Sequence, residues 1–188
     1  MNRRNFTMIF LVTTLVYGSL VHIGHGYVLE GGRWSSANPV TYYNDRDSDG
    51  TLNKYVSYAN ALSSWSGVSS QVSWSGTRYG SQMAYLSWDN NPNVQWDGAS
   101  QIIPSPSSNP YTSTNSYVNR YYTDGYADNE RQSVMGHELG HVLGLDHYCC
   151  PAALMNTGTC GYQGRWCTYG VYTPQADEKN GVIAIYGS

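Results

Sequence analysis

The sequence predicts one α/β (α+β) domain, and three observations support that prediction. The chain has 188 residues, a length that a single domain ordinarily occupies. Hydrophobic residues make up 40% and charged residues only 12% of the chain, which excludes a disordered protein and a coiled coil. Short segments rich in β-branched and aromatic residues alternate with segments of helical periodicity, and no repeat or long linker divides them.

The first 26 residues have the composition of a secretory signal peptide. Arg3 and Arg4 precede a long apolar stretch, and Gly24 and Gly26 supply small residues spaced as a cleavage site requires. An uncleaved membrane anchor is the alternative. Cleavage after Gly26 would leave residues 27–188 as one mature domain, secreted to the extracellular space.

The charge of the chain bears on its partners. The formal net charge is −3 at pH 7, and loss of two arginines with the signal peptide would make it −5. Because no basic surface is then expected to neutralise phosphates, a nucleic-acid partner is excluded. After signal cleavage, no apolar run of membrane-spanning length remains in the sequence. We expect a monomer without nucleic-acid or membrane partners.

The mature chain is predicted to begin with short strands around one helix. In residues 52–65, apolar side chains recur at helical spacing, which predicts an amphipathic helix. A second helix is predicted over residues 129–143, with Asn129 as N-cap and Gln132 as its capping-box partner. Pro174, in the favoured first position, starts a last helix at the C-terminus. The predicted strands are residues 39–44, 72–74, 83–88, 101–103 and 116–122.

All three histidines of the predicted mature chain fall within one short segment. His137 and His141 are four residues apart, so on a helix they lie on one face and can share a metal ion. Gly144 can adopt a positive φ, which lets the chain leave the helix sharply and return His147 as a third ligand. Three neutral imidazoles suit Zn²⁺, and a catalytic zinc keeps a fourth position open.

Glu138 follows the first of these histidines and is the candidate catalytic residue. Its carboxylate is predicted to act as general base on a metal-activated water and then to return the proton to a leaving amine. Two other interpretations of the segment are consistent with the sequence. The histidines could simply satisfy hydrogen bonds in the core, or they could hold a structural zinc that a fourth protein ligand closes.

The segment 137–147 resembles the zinc-binding signature of the metzincin metalloproteases. Downstream, residues 153–156 resemble the Met-turn of these enzymes, which places Met155 beneath the metal. Among metzincins the chain is most similar to the matrixins, the matrix-metalloprotease-like peptidases. Residues 177–187 resemble the C-terminal helix of that family. The resemblance is strong over residues 130–187 and loose before them.

This resemblance implies a zincin-like fold and a peptidase activity. The fold would be a twisted, mostly parallel five-stranded sheet with three helices, and an extended protein or peptide substrate would pair with the antiparallel edge strand. The resemblance also assigns His137, His141 and His147 to catalytic zinc, Glu138 to the general base and Met155 to support of the site. The alternatives are a narrow-specificity amidase or peptidase and a non-catalytic, zinc-holding binding module on the same scaffold.

Four cysteines are predicted to staple an irregular C-terminal subdomain. Cys149, Cys150, Cys160 and Cys167 are even in number and are destined for an oxidising compartment, which favours disulfides. A bond between the neighbours Cys149 and Cys150 would strain the peptide between them. We therefore expect each of them to pair with Cys160 or Cys167, in either of the two possible arrangements. A four-thiolate zinc site is the alternative, but it lacks paired C-x-x-C spacing.

A second metal site is predicted near the first strands. Asp45, Asp47 and Asp49 precede Gly50 with the spacing that opens a calcium loop. The twelfth position of that loop is Val56, where a bidentate glutamate would be needed. A calcium site and a solvated polar turn that caps the following helix are therefore both consistent with the sequence.

Overall fold

The structure is a computed structural model that describes residues 26–45 and 52–188. All of the predicted signal peptide except Gly26 lies outside the described residues, and so do Asp47 and Asp49 of the predicted calcium loop. Among the described residues, no helix combines the length and the apolar character that crossing a bilayer requires.

Seven strands form two sheets in the described part of the chain. They are β1 Val28–Leu29, β2 Ala37–Asn44, β3 Val72–Gly76, β4 Ala84–Asp89, β5 Gly98–Ile103, β6 Ser113–Asn119 and β7 Leu145–Asp146. The main sheet has the order β3-β2-β4-β6-β5, in which neighbours are parallel except for β5, which is antiparallel to β6 at one edge. This confirms the predicted mostly parallel, five-stranded sheet with an antiparallel edge strand.

Alternation of side chains determines which face of the main sheet is buried. Val40, Ala84, Leu86 and Val118 are fully buried and occur at alternate positions of their strands. Side chains at every second position of a strand lie on one face, so these residues pack together as the sheet side of the core. The β-branched and aromatic content that predicted the strands reflects this burial.

Helices α1 Leu52–Trp65 and α3 Asp128–Val142 pack against each other and share one core with the sheet. Trp65 is fully buried, and its indole Nε1 donates to the Gly136 carbonyl across the helix pair at 2.9 Å. The bounds of α1 are those predicted from its periodicity. The strong contact between α1 and α3 fixes the orientation of the helix that carries the histidines.

The two other helices are α2 Arg120–Thr123 and α4 Ala176–Tyr186. The predicted strand 116–122 is wrong at its end, because Asn119 Oδ1 accepts from the Tyr121 N–H at 3.2 Å and caps α2. Pro174 was expected at the first helical position, but α4 begins two residues later, because the Glu178 carboxylate accepts from the Gln175 N–H at 2.7 Å.

The start of α3 also differs from the prediction. Asn129 was expected to cap this helix with Gln132 as its partner, but the N-cap is Ala127. Glu130 Oε2 accepts from the Ala127 N–H at 3.4 Å, which is the back half of a capping box. The sequence signal placed the boundary late because Asn129 matches the usual cap residue and alanine does not.

The disulfide pairing predicted from the sequence is wrong. Cys160 is bonded to Cys167, whereas Cys149 and Cys150 are both free and exposed. The chain folds back on itself here, since the Arg165 N–H donates to the Gly158 carbonyl at 2.8 Å. That turn brings the Cα atoms of Cys160 and Cys167 to 4.9 Å, a separation that a disulfide spans.

Candidate metal centre

Helix α3 places the first two histidines in the core. The side chains of His137 and His141 are one turn apart, and the two residues are only 4% and 8% exposed to solvent. Gly144 follows the helix with φ of 93°, as predicted. A Cβ at this position would lie 2.7 Å from the Gly32 carbonyl oxygen, so a glycine is required here by both conformation and space. Beyond this turn His147 returns toward the helix.

The three histidines form one donor cluster. The ligand atoms of His137, His141 and His147 all lie within 4.8 Å of one another. The Nδ1 of His137 lies 2.8 Å from the Leu154 carbonyl, and the Nδ1 of His141 lies 2.8 Å from the Leu145 carbonyl. Because a carbonyl only accepts, each Nδ1 donates its proton and leaves Nε2 with a free lone pair. This donor set fits zinc.

The electrostatic surroundings favour neutral imidazoles at two of the three positions. Burial, with help from the Arg165 charge, holds the pKa of His137 well below its usual range. Burial likewise lowers the pKa of His147. At His141 burial also lowers the pKa, but the hydrogen bond that its Nδ1–H donates to Glu30 and the charge of Glu138 outweigh burial, so the pKa is raised. Metal ligation requires the neutral form, which His137 and His147 already adopt near neutral pH.

The Glu138 side chain extends from α3 toward the edge strand β5. Its side chain is buried, and the Ser100 hydroxyl donates to Oε2 at 2.8 Å. Burial raises the pKa of the Glu138 carboxyl, against smaller opposing effects of His141 and the Ser100 bond. A Cβ at Gly98 would lie 2.5 Å from Glu138 Oε1, so the absence of a side chain there makes room for the carboxylate.

Met155 lies directly under the turn of α3 that carries two of the histidines. A Cβ at Gly140 would lie only 2.3 Å from the Met155 sulfur, so this close approach depends on a glycine. The backbone of Met155 is held from both sides, because its N–H donates to Glu178 Oε1 at 3.1 Å and its carbonyl accepts from the Tyr148 N–H at 2.9 Å. The structure thus places the predicted Met-turn beneath the histidine cluster.

Four further residues support the centre, and none of them was predicted from the sequence. Arg165 is fully buried and donates to Ser133 Oγ at 3.1 Å and to the Asn156 carbonyl at 2.8 Å, which ties α3 to the C-terminal segment. Glu178 lies within residues 177–187, the segment that resembles the C-terminal helix of the matrixins, and this resemblance could have indicated it. Glu30 and Ser100 come from distant, unremarkable segments, and no sequence pattern indicates their contacts.

A cleft opens beside the third histidine. Its volume is about 430 Å³, and its lining includes His147, Tyr148, Asn156 and Tyr162. Because these residues belong to the segment around the Met-turn, the C-terminal segment forms one wall of the space next to the histidine cluster. Cys149 also lines this cleft, with its thiol free.

Most of the predicted calcium site lies outside the described residues. Of its three aspartates only Asp45 is described, and its Oδ2 accepts from the Tyr85 hydroxyl at 2.7 Å. The Asp45 carbonyl accepts from the Trp88 indole at 3.1 Å. Calcium binding by Asp45, Asp47 and Asp49 stays a prediction.

Comparison with known proteins agrees with the geometry of the site. The family model described as Matrixin matches residues 33–187, which include every strand of the main sheet, the three histidines and the Met-turn. A comparison with curated proteins found no match. The matched region covers most of the chain and contains the whole donor cluster, so this protein belongs to the matrixin family of zinc-dependent metallopeptidases.

Proposed function

We propose that this protein is a secreted endopeptidase that hydrolyses peptide bonds with Glu138 as general base and His137, His141 and His147 as ligands of catalytic zinc. The observation that carries the proposal is the juxtaposition of a three-imidazole donor cluster with a buried carboxylate on the helix that carries two of the imidazoles. Zinc held there would supply a Lewis acid that polarises the peptide carbonyl and lowers the pKa of a water molecule.

Glu138 carries the proton transfers. Its carboxylate accepts a proton from the attacking water as the water oxygen bonds to the carbonyl carbon. The same oxygen then gives that proton to the amide nitrogen as the C–N bond breaks. Burial suits Glu138 to this task, because a raised pKa makes its carboxylate a better proton acceptor near neutral pH. The Ser100 hydroxyl fixes the orientation of the carboxylate.

Strand β5 is proposed to bind the substrate in extended form. It is the edge strand next to α3, and Ser100 at its centre contacts Glu138. An edge strand offers unpaired backbone donors and acceptors, to which an extended peptide can add as a further strand. A scissile bond aligned along β5 would then lie beside the general base.

Secretion is part of the proposal and depends on the N-terminal sequence. The basic, apolar and small-residue regions in the first 26 residues have the order of a signal peptide.

A zinc-holding binding module is the second candidate function, and the intact, hydrogen-bonded Glu138 is the feature that speaks against it.

The test is digestion of casein and gelatin by the mature chain, residues 27–188, with and without a zinc chelator. We expect cleavage that the chelator abolishes and that zinc restores. Glu138→Gln should retain zinc and lose at least about 100-fold in rate, the usual contribution of general base catalysis. Glu130→Gln is the matched control on the same helix, because Glu130 lies in its first turn, where its carboxylate accepts from the Ala127 N–H and contacts the Cys160 sulfur. Full activity of Glu138→Gln would refute the general-base assignment, and bound zinc without any cleavage would favour the binding module.

A further inference from the structure

Glu30, the residue directly after strand β1, contacts the metal centre. Strand β1 pairs with β7, the short strand between His141 and His147. Directly after β1, the Glu30 N–H donates to the Gly144 carbonyl at 3.0 Å. These bonds fix the backbone of Glu30 against the turn that redirects the chain from the second histidine to the third.

The Glu30 side chain contacts a proposed zinc ligand. Its Oε1 lies 2.9 Å from His141 Nδ1, and its side chain is only 8% exposed. The same Nδ1–H also faces the Leu145 carbonyl, so the proton is shared between two acceptors. Both acceptors hold the imidazole in the tautomer that presents Nε2 to the donor cluster. A carboxylate behind a ligating imidazole also increases the basicity of that ligand.

The other carboxylate oxygen points to an interaction with a bound cation. Glu30 Oε2 is buried without a hydrogen-bond partner among the described residues, and within them the one ion-pair contact recorded for Glu30 is that with His141. A buried carboxylate is costly unless a positive charge compensates it. Glu30 contacts His141, one of the three histidines of the centre where a divalent cation would lie.

We propose that Glu30 is a positioning residue for His141 that couples docking of the N-terminal strand to zinc affinity. This inference rests on the proposed zinc site. The coupling is reciprocal, because any contact that strengthens zinc binding must also be strengthened by zinc. Zinc is therefore expected to stabilise the docked state of β1, and a change at Glu30 is expected to weaken zinc binding 111 residues away in the sequence.

The test compares Glu30→Gln and Glu30→Ala with the unchanged chain. Gln keeps the size of the side chain and removes its charge, while Ala removes both the charge and the acceptor. Zinc affinity is measured by competition with a chelator at about pH 8, where proton competition for imidazole is small. Asp89→Asn is the matched control, because Asp89 is a partly exposed carboxylate on β4 that accepts from the Asn90 N–H.

We expect Glu30→Gln to weaken zinc binding about 10-fold and Glu30→Ala about 10- to 100-fold, the usual cost of removing such a partner. In the unchanged chain zinc should slow proteolysis within residues 26–33, and in Glu30→Ala this protection should shrink. The unfolding free energy of metal-free Glu30→Gln should change much less than its zinc affinity, which a merely structural role would not produce.

Zinc affinities of both variants within twofold of the unchanged chain would overturn the positioning role. If Glu30→Ala does not fold, the affinity of Glu30→Gln decides the question. Failure of the proposed zinc site looks different, because zinc binding would then be insensitive to His137→Ala and His141→Ala as well. Failure of the proposed catalysis alone would leave zinc binding, and its dependence on Glu30, intact.

Discussion

Substitution of Glu178 by glutamine tests how the Met-turn is anchored. Glu178 is fully buried, and its two oxygens serve different backbone donors. Oε1 accepts from the Met155 N–H at 3.1 Å, and Oε2 accepts from the Gln175 N–H at 2.7 Å. A glutamine side chain offers only one acceptor oxygen, so one of the two N–H groups would face an amide nitrogen that cannot accept.

The expected cost follows from these two bonds. A hydrogen bond to a charged group contributes about 1.5–3 kcal/mol, and an orphaned buried donor costs about 1–3 kcal/mol. The two effects overlap, so Glu178→Gln should lower the free energy of unfolding by about 2–4 kcal/mol. For a domain of this size, 1 kcal/mol shifts the Tm by about 2–4 °C, which gives a fall of about 4–16 °C.

The assay is urea unfolding followed by circular dichroism, together with the Tm from calorimetry. Asp177→Asn is the matched control, because Asp177 is exposed on the same first turn of α4. Its loss should cost no more than about 1 kcal/mol, the usual worth of an exposed charge at a helix N-terminus. If Glu178→Gln is no less stable than Asp177→Asn, the carboxylate does not anchor Met155 and the reasoning is wrong.

Three further predictions concern the site and its support. Ser100→Ala should lower kcat/KM for casein about 10-fold and leave the zinc content unchanged, because one hydrogen bond to the Glu138 carboxylate contributes roughly 1.4 kcal/mol or more. Ser100→Thr keeps the hydroxyl, so its kcat/KM in the same assay should fall less. Removal of zinc should lower the Tm by about 5–11 °C relative to the protein at a free zinc concentration of about 100 Kd, because zinc at that concentration adds about 2.7 kcal/mol to the free energy of unfolding. An unchanged Tm in calorimetry would argue against a zinc site in the folded chain. Reduction of the Cys160–Cys167 bond should accelerate proteolysis within residues 158–168, as mass spectrometry of the fragments would report, and leave cleavage elsewhere unchanged.

Local patterns predicted much of the fold correctly. The helix over Leu52–Trp65 has the bounds that its apolar spacing indicated. Each of the five strands of the main sheet overlaps a predicted strand, but β5 and β6 each begin three residues before the predicted start. Boundaries failed where backbone donors found carboxylate acceptors that no periodicity encodes, as at Glu130 and Glu178. The two-residue strands β1 and β7 are too short to produce any alternation, so the sequence did not reveal them.

The amino-acid sequence by itself determined the identity and order of the donor residues. His137, Glu138 and His141 follow the helical repeat, and Gly144 with His147 completes the spacing, so covalent connectivity alone brings these groups within reach of one another. Disulfide pairing could not be derived in this way, because it depends on which Cα atoms the folded chain brings within bonding distance.

Only the tertiary structure decided what surrounds these donors. Glu30, Ser100 and Arg165 come from three separate parts of the chain, yet each is a short hydrogen bond away from α3. Their roles arise from burial, since a charged or polar group removed from water must find its partner wherever packing places one. Local sequence fixes which residues can bind a metal, whereas long-range packing fixes how they are oriented and how strongly they are expected to hold it.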